Sequence, residues 1–278
     1  MTNQLVISGD EFHARDLEQP TVIQNPFPYY DMLRDKPIQF GVEGYPPGTV
    51  KGMDKPIPAW AILNYKDLVH VASNHEIFSS RDRMQEASDA PTLMLVNHDQ
   101  PEHTWLRTIA RQAFTPKRVG ADVGPWLKDI IDQMLTAEGA GYIDFMDNLA
   151  ADLPARFISK LLGTPQEDYR KIRDWSDAYM GTSNLDMAGK AQSNIEMFNY
   201  YTDQVAQRYD MVKRGMASDD LLTGFIEAKG DDGRQLTPEE VVRFCITMVA
   251  GGAESSVYLL GNQVAAMLEM PELYQKMR

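Results

Sequence analysis

The stretch that decides the fold is Val249-Ala250-Gly251-Gly252-Ala253-Glu254-Ser255-Ser256. It lies in the middle of the longest helical pattern in the chain. That pattern opens with a capping box, Thr237 followed three residues later by Glu240, and Pro238 takes the first helical position. Periodicity continues to Met270, and Pro271 closes it. A continuous helix of these 33 residues would measure about 50 Å. Its middle is apolar on all sides, through Phe244, Ile246, Met248, Val249, Val257, Leu259 and Leu260. The helix is therefore predicted to run through an interior rather than over it. Two glycines there cost about 1 kcal/mol each against alanine, and a buried Glu254 needs a partner. Small residues let a flat ligand touch the backbone, and the glycines permit the hydrogen-bond ladder to open. Glu254 and Ser255 would place an acid and a hydroxyl at that opening, a pair suited to moving protons. The plainer reading of the same residues is a close helix crossing, with Glu254 reaching an arginine.

Outward from this helix, most of the chain also reads helical. Residues 26–36, 65–73, 101–114, 124–137, 146–162, 165–180, 188–214 and 219–228 carry helical periodicity or helix-start signals. In the second of these, Leu68, Val69 and Val71 are expected to face inward. Residues 38–40 and 59–64 read as short strands. The segment 41–58, rich in proline and glycine, reads as a loop between them. Residues 1–25 show no clear period and read as a surface arm, and 79–100 as a long loop of the kind that is usually functional. Residues 230–235 (GDDGRQ) read as a turn.

Composition bounds the function. Of 278 residues, 43% are apolar and 24% charged, enough to bury a real core. The net charge of −13 excludes a phosphate-backbone binder, so no nucleic-acid partner is expected. A single cysteine, Cys245, excludes an intrachain disulfide and fits a reducing compartment. The N-terminus lacks the basic start and apolar run of a signal peptide. The most apolar run, residues 244–253, is too short to span a bilayer. The expectation is a soluble cytoplasmic protein with no membrane anchor. His13, His70, His75, His98 and His103 form no zinc pattern. The sixteen methionines suit either an adaptable apolar pocket or core filling. Met94 and Leu95, just before the His98 motif, are the candidate pocket wall.

The second informative stretch is His98-Asp99-Gln100-Pro101-Glu102-His103-Thr104-Trp105-Leu106-Arg107, continuing to Ala113-Phe114-Thr115-Pro116. His103 and Arg107 are four apart, share a helix face, and together offer donors suited to a carboxylate. A solvated face with an ordinary i,i+4 pair has the same spacing.

These two stretches, in this order and separation, resemble the cytochrome P450 family of the soluble bacterial type. Pro26-x-x-Tyr29-x-x-Leu33-Arg34 is similar to its first helix. Trp60 to Tyr65, then Phe78-Ser79-Ser80, is similar to its first sheet and following helix. Asp99-x-Pro101-x-His103-x-x-x-Arg107 is similar to the heme-propionate helix, and Gly251 to Ser256 to the distal oxygen-binding motif, with Ser255 where the family usually has threonine. The fold this implies is mainly α, P450-like with small β-sheets, in a single domain over residues 1–278. That domain corresponds to the N-terminal two-thirds of a family member and ends after the long distal helix. The family's Glu-x-x-Arg helix and heme-cysteine loop would follow the distal helix and are not met in the residues after it, and Cys245 sits on the distal helix, where it cannot replace the axial cysteine.

The activity implied is monooxygenation on heme b iron, with one atom of O2 entering a C–H bond of an apolar small molecule. Electrons would come from ferredoxin and ferredoxin reductase, or from a flavin reductase. By the same resemblance His103 and Arg107 would clamp a propionate, with Trp105 at the same cofactor edge. Ala250 and Gly251 would lie against the cofactor, Thr247 would line the pocket, and Glu254 and Ser255 would deliver protons. The rival reading is a heme-free, all-helical small-molecule binding module.

Overall fold

The structure is a computed structural model that describes residues 16–17, 19–34, 38–45, 57–82, 91–116, 123–137 and 141–277. The chain divides into two compact units, Met1–Ser88 and Asp89–Arg278.

In the first unit, two short helices, α1 (Pro20–Gln24) and α2 (Phe27–Leu33), each begin with proline in the first turn. They bury Val22, Tyr29 and Leu33 together, and the Tyr29 hydroxyl donates to Asp16 Oδ2 at 3.0 Å. The expected surface arm thus contributes a helix and a core residue. Strands β1 (Gln39–Tyr45) and β2 (Ile57–Ala61) form an antiparallel pair, with Gln39 opposite Ala61 and Tyr45 opposite Ile57. Residues 41–45 and 57–58, expected as loop, therefore belong to the ladder. Gly41 and Gly44 coincide with the two irregularities in register. Helix α3 (Tyr65–Ser73) follows, capped by Asn64, but Leu68 and Val69 are exposed rather than inward.

The second unit holds α4 (Glu102–Ala113), α5 (Val123–Ala137), a wide helical turn at Met146–Ala150, and α6 (Asp152–Leu162). Then come α7 (Tyr169–Met180), α8 (Met187–Lys213), α9 (Leu221–Glu227), α10 (Pro238–Gly252), α11 (Glu254–Glu269) and α12 (Pro271–Met277). The mainly helical fold is as the sequence predicts. The last long pattern, however, forms two helices broken at Ala253 instead of one.

Helix α10 is the axis of this unit. Val241, Val242, Phe244, Cys245, Ile246, Val249 and Ala250 are all buried. All but Ala250 join one cluster with Ile158 and Leu162 of α6, Ile172 and Trp175 of α7, and Met197, Tyr201 and Val205 of α8. Phe225 stacks on Phe244 with ring centroids 4.8 Å apart. Each such side chain contributes about 1.5–3 kcal/mol on burial. Burial stops at the break: α11 has no buried residue, and Leu259 is 59% exposed. The whole run Pro238–Glu269 contains a window with mean hydropathy 1.3, so by length and composition it could cross a membrane, which residues 244–253 alone could not. The first half of this run is buried within the unit and the second half is not.

One charged group is buried beside this core. Arg208 of α8 pairs with Asp220 and also donates to Thr223 Oγ1 and to the Gly163 carbonyl, both at 2.9 Å. Asp220 caps α9 through the Thr223 amide at 3.0 Å. Gly163 ends α6 with φ +71°, and a Cβ there would collide with the Asp220 carboxylate. Removing one partner strands a buried charge, which costs about 3–5 kcal/mol. Asp220→Ala is expected to lower unfolding stability by that order in urea titration, whereas Asp210→Ala, whose ion pair with Arg214 is exposed, should cost less than about 1 kcal/mol.

Candidate functional site

The break between α10 and α11 is built from the small residues. Ala253 sits at φ −80°, ψ −67°. Its amide still reaches the Val249 carbonyl at 3.1 Å, and the Val257 amide reaches the Ala253 carbonyl at 3.2 Å. Between them the Ser255 and Ser256 hydroxyls donate to the carbonyls of Gly251 and Gly252, each at 2.8 Å. Such back-bonding to the i−4 carbonyl bends a helix. The two glycines do different work. A Cβ on Gly252 would lie 2.6 Å from Ile158 Cδ1, so this residue lets α10 close on α6. A Cβ on Gly251 would meet nothing within 4 Å, and Gly251 is exposed. Ala250, one residue earlier, is buried.

Glu254 is half-buried and accepts a hydrogen bond from the Tyr258 hydroxyl at 3.3 Å. Ser255 is exposed. Asp177, on α7, has its carboxyl pushed above the usual range by burial, with Glu254 and Asp174 adding to the rise and Arg173 opposing it. Burial and Glu254 likewise raise the Tyr258 phenol. Two acids and a phenol therefore gather beside the break. Asp177 and Tyr258 carry no motif that marks them in the sequence; only the fold places them there.

Thr247, one turn before Gly251, accepts from the Met94 amide at 2.8 Å and donates to the Arg243 carbonyl at 2.8 Å. Arg243 donates to Thr92 Oγ1 at 2.7 Å. The loop ahead of α4 is thus pinned to α10, with Leu95 in the left-handed region at φ +70°. Met94 is buried in the core cluster and Leu95 packs against it.

On α4, Leu106, Ile109, Ala110 and Ala113 face the core. His103 is half-buried and lies 3.4 Å from Gln100 Nε2. Arg107 is exposed and has no hydrogen-bond or ion-pair partner among the described residues. Trp105 is placed elsewhere. Successive helical residues turn by about 100°, so its ring points away from the His103–Arg107 face, and it lies under the Arg234 guanidinium, 3.8 Å from the ring centroid. His98 is held below its ordinary pKa by burial, and its Nδ1 has no partner.

No protein-family model matches the chain. A putative cytochrome P450 of Bacillus subtilis, YjiB, is 27% identical over 91% of the chain and 61% of its own length. The vitamin D(3) 25-hydroxylase of Pseudonocardia autotrophica is 28% identical over 96% of the chain and 63% of its length. Among solved structures, CYP109E1 from Bacillus megaterium in complex with testosterone matches with a TM-score of 0.69 and 27% identity, over 91% of this chain and 62% of that one. The chain is similar to bacterial cytochrome P450s and spans about three-fifths of the length of these relatives.

That family carries heme iron, and two surfaces of this chain suit such a group. The unpaired Arg107 beside His103 is a donor set for a carboxylate. The open backbone at Gly251 leaves room for a flat group. Cys245 does not suit the axial position, because it is fully buried in the core and burial pushes its thiol strongly up, away from the thiolate a metal needs. No cluster of three His, Cys, Asp or Glu side chains suited to a metal occurs among the described residues.

The two glycines separate in a simple test. Gly252→Ala should destabilise by about 1–3 kcal/mol through overpacking against Ile158, and Ile158→Val, by shortening that side chain, should recover part of the loss. Gly251→Ala should leave stability unchanged within about 1 kcal/mol. Urea midpoints of the three variants measure both effects.

Proposed function

We propose that the protein carrying this chain is a cytoplasmic heme-thiolate monooxygenase. It places one oxygen atom of O2 into a C–H bond of an apolar small molecule, with electrons from ferredoxin and its reductase or from a flavin reductase. The observation that carries this reading is the opened helix at Gly251–Ser255, with its acid and hydroxyl beside an uncovered backbone. When bound, heme supplies the redox chemistry that reduces and splits O2.

The chain's own residues do the rest. Arg107, with His103 next to it, holds a propionate carboxylate by charge-assisted hydrogen bonds. Gly251 lets the cofactor approach the helix backbone, while Ala250, expected beside it, is buried and is not assigned to the cofactor. The Ser255 hydroxyl, turned onto the Gly251 carbonyl, is at hand to give or share a hydrogen bond at the opening. Glu254, in contact with the Tyr258 hydroxyl, passes protons inward from solvent. Thr247 and Leu95 shape the pocket wall, and Met94 backs it from within the core. Trp105 is not assigned to the cofactor, since its ring is engaged by Arg234.

The relatives named for vitamin D(3) hydroxylation and for a testosterone complex favour a sterol-sized apolar substrate. The axial thiolate is assigned to a residue outside this chain's 278, since Cys245 is locked in the core. That same burial is what favours the second reading, a heme-free binding module.

Heme content and coupling test the proposal together. In the holoprotein, Arg107→Ala should lower heme occupancy, consistent with losing about 1.5–3 kcal/mol of a charged hydrogen bond. His103→Ala should do less. Ser255→Ala should keep its heme and consume reductant, but release more peroxide per product. Full heme retention in the Arg107→Ala/His103→Ala double variant, or unchanged coupling in Ser255→Ala, would contradict these roles.

A further inference from the structure

Helix α4 has a narrow footing. Its principal packing partner is α9, a helix of seven residues, and the turn that follows α9 completes the packing. That turn, residues 229–235, grips α4 at both ends. At the C-terminal end, Gln112 Nε2 donates to the Lys229 carbonyl at 2.8 Å and Gln112 Oε1 accepts from the Lys229 amide at 3.2 Å. At the N-terminal end, both terminal nitrogens of Arg234 donate to Glu102, at 3.1 and 3.0 Å, and one also reaches Glu240 of α10 at 2.9 Å. Between these, the Arg234 guanidinium covers the Trp105 ring.

The turn itself is shaped for this. The Gly230 amide donates to the Arg234 carbonyl at 2.8 Å and the Gly233 amide to the Gly230 carbonyl at 2.9 Å, with Gly233 at φ +81°. A Cβ on Gly230 would fall 2.3 Å from Trp105 Nε1, so only glycine lets the turn lie this close to the indole. Glu102, Trp105 and Gln112 lie on the side of α4 away from His103 and Arg107, as their spacing at about 100° per residue requires.

An exposed ion pair alone is worth little, and Arg234 and Glu102 are each about two-fifths exposed. Here one guanidinium serves two carboxylates and an aromatic face at once, and it ties three elements: α4, the turn and α10. A twelve-residue helix packed along one stripe is otherwise held weakly against rotation about its own axis. Such rotation would swing Arg107 across several ångströms, because the guanidinium lies far from that axis.

We propose that Arg234 is a positioning residue. By clamping Glu102 and Trp105 it fixes the rotation of α4, and with it the direction in which His103 and Arg107 present their donors. This rests on the heme reading given above for the acceptor of those donors.

The test compares Arg234→Ala, Arg234→Lys and Trp105→Phe in the holoprotein by two readouts. One is hydrogen exchange at the amides of α4, with α7 as the internal reference. The other is the rate of heme transfer to excess apomyoglobin. Arg234→Ala should speed exchange along α4 by about tenfold, the scale expected when a cation–π interaction and its ion pairs are removed together. It should leave α7 unchanged and speed heme loss severalfold. Arg234→Lys, which keeps a cation over the ring but loses the fork, should fall between. Trp105→Phe, which keeps an aromatic face, should stay near the parent. Unchanged α4 exchange or unchanged heme loss in Arg234→Ala would overturn the proposal, as would equal acceleration in α4 and α7. Arg107→Ala separates the two readings: it should speed heme loss without altering α4 exchange. If Arg107→Ala keeps its heme, the propionate assignment fails, while the exchange data still report whether the clamp exists.

Discussion

The second unit depends on one constraint: α10 must bury one side chain after another from Val241 to Ala250, while the helix after it stays uncovered. The capping box at Thr237, with bonds of 3.2 and 2.7 Å, starts the helix in a defined place. Six buried side chains then lock it among α6, α7, α8 and α9. Near its end Gly252 lies close against Ile158, and Ala253 is still buried. Past it the helix bends, and the two serine hydroxyls take up the carbonyls of Gly251 and Gly252. The bend thus costs little in unmade hydrogen bonds and leaves a polar opening at the end of an apolar core.

The same helix organises what lies before α4. Thr247 and Arg243 hold the backbone at Met94 and the side chain of Thr92, so the loop leading into α4 starts from a fixed point on α10. Glu240, also on α10, shares Arg234 with Glu102. The elbow and the His103–Arg107 face are therefore referenced to one rigid body. That is what a cofactor held at its edge and on its face would require.

Much of this is legible in the sequence, and the reasons for the rest are physical. Helix ends marked by proline or glycine, as at Pro238, Gly163 and Gly181, can be read to within a residue or two, because backbone chemistry alone sets them. Strand β1 is longer than its sequence suggests, because Gly41 and Gly44 read as loop while pairing with β2 overrides that preference. A continuous helix through residue 270 is the natural reading of periodicity, which cannot see that Gly252 must touch Ile158. The apolar side chain of Leu259 points to burial, yet burial depends on neighbours, and the chain's own helices do not cover it. At the site, spacing and resemblance single out Gly251, Glu254, Ser255, His103 and Arg107. The resemblance adds Trp105 to them, but helix geometry turns its ring to the opposite side, under Arg234. Arg234, Asp177 and Tyr258 escape a sequence reading because their partners lie far away in the chain or carry no pattern.

The central claim is that the Gly251–Ser255 elbow and the Arg107 face serve one flat, carboxylate-bearing cofactor. An experimental structure of the heme-loaded protein tests it most directly. The account predicts a propionate oxygen about 2.7–2.9 Å from the Arg107 guanidinium, with the macrocycle face against the Gly251 backbone and the Ser255 hydroxyl turned toward the iron side. Heme bound with Arg107 still in solvent, or with Gly251 facing away from the ring, would contradict it.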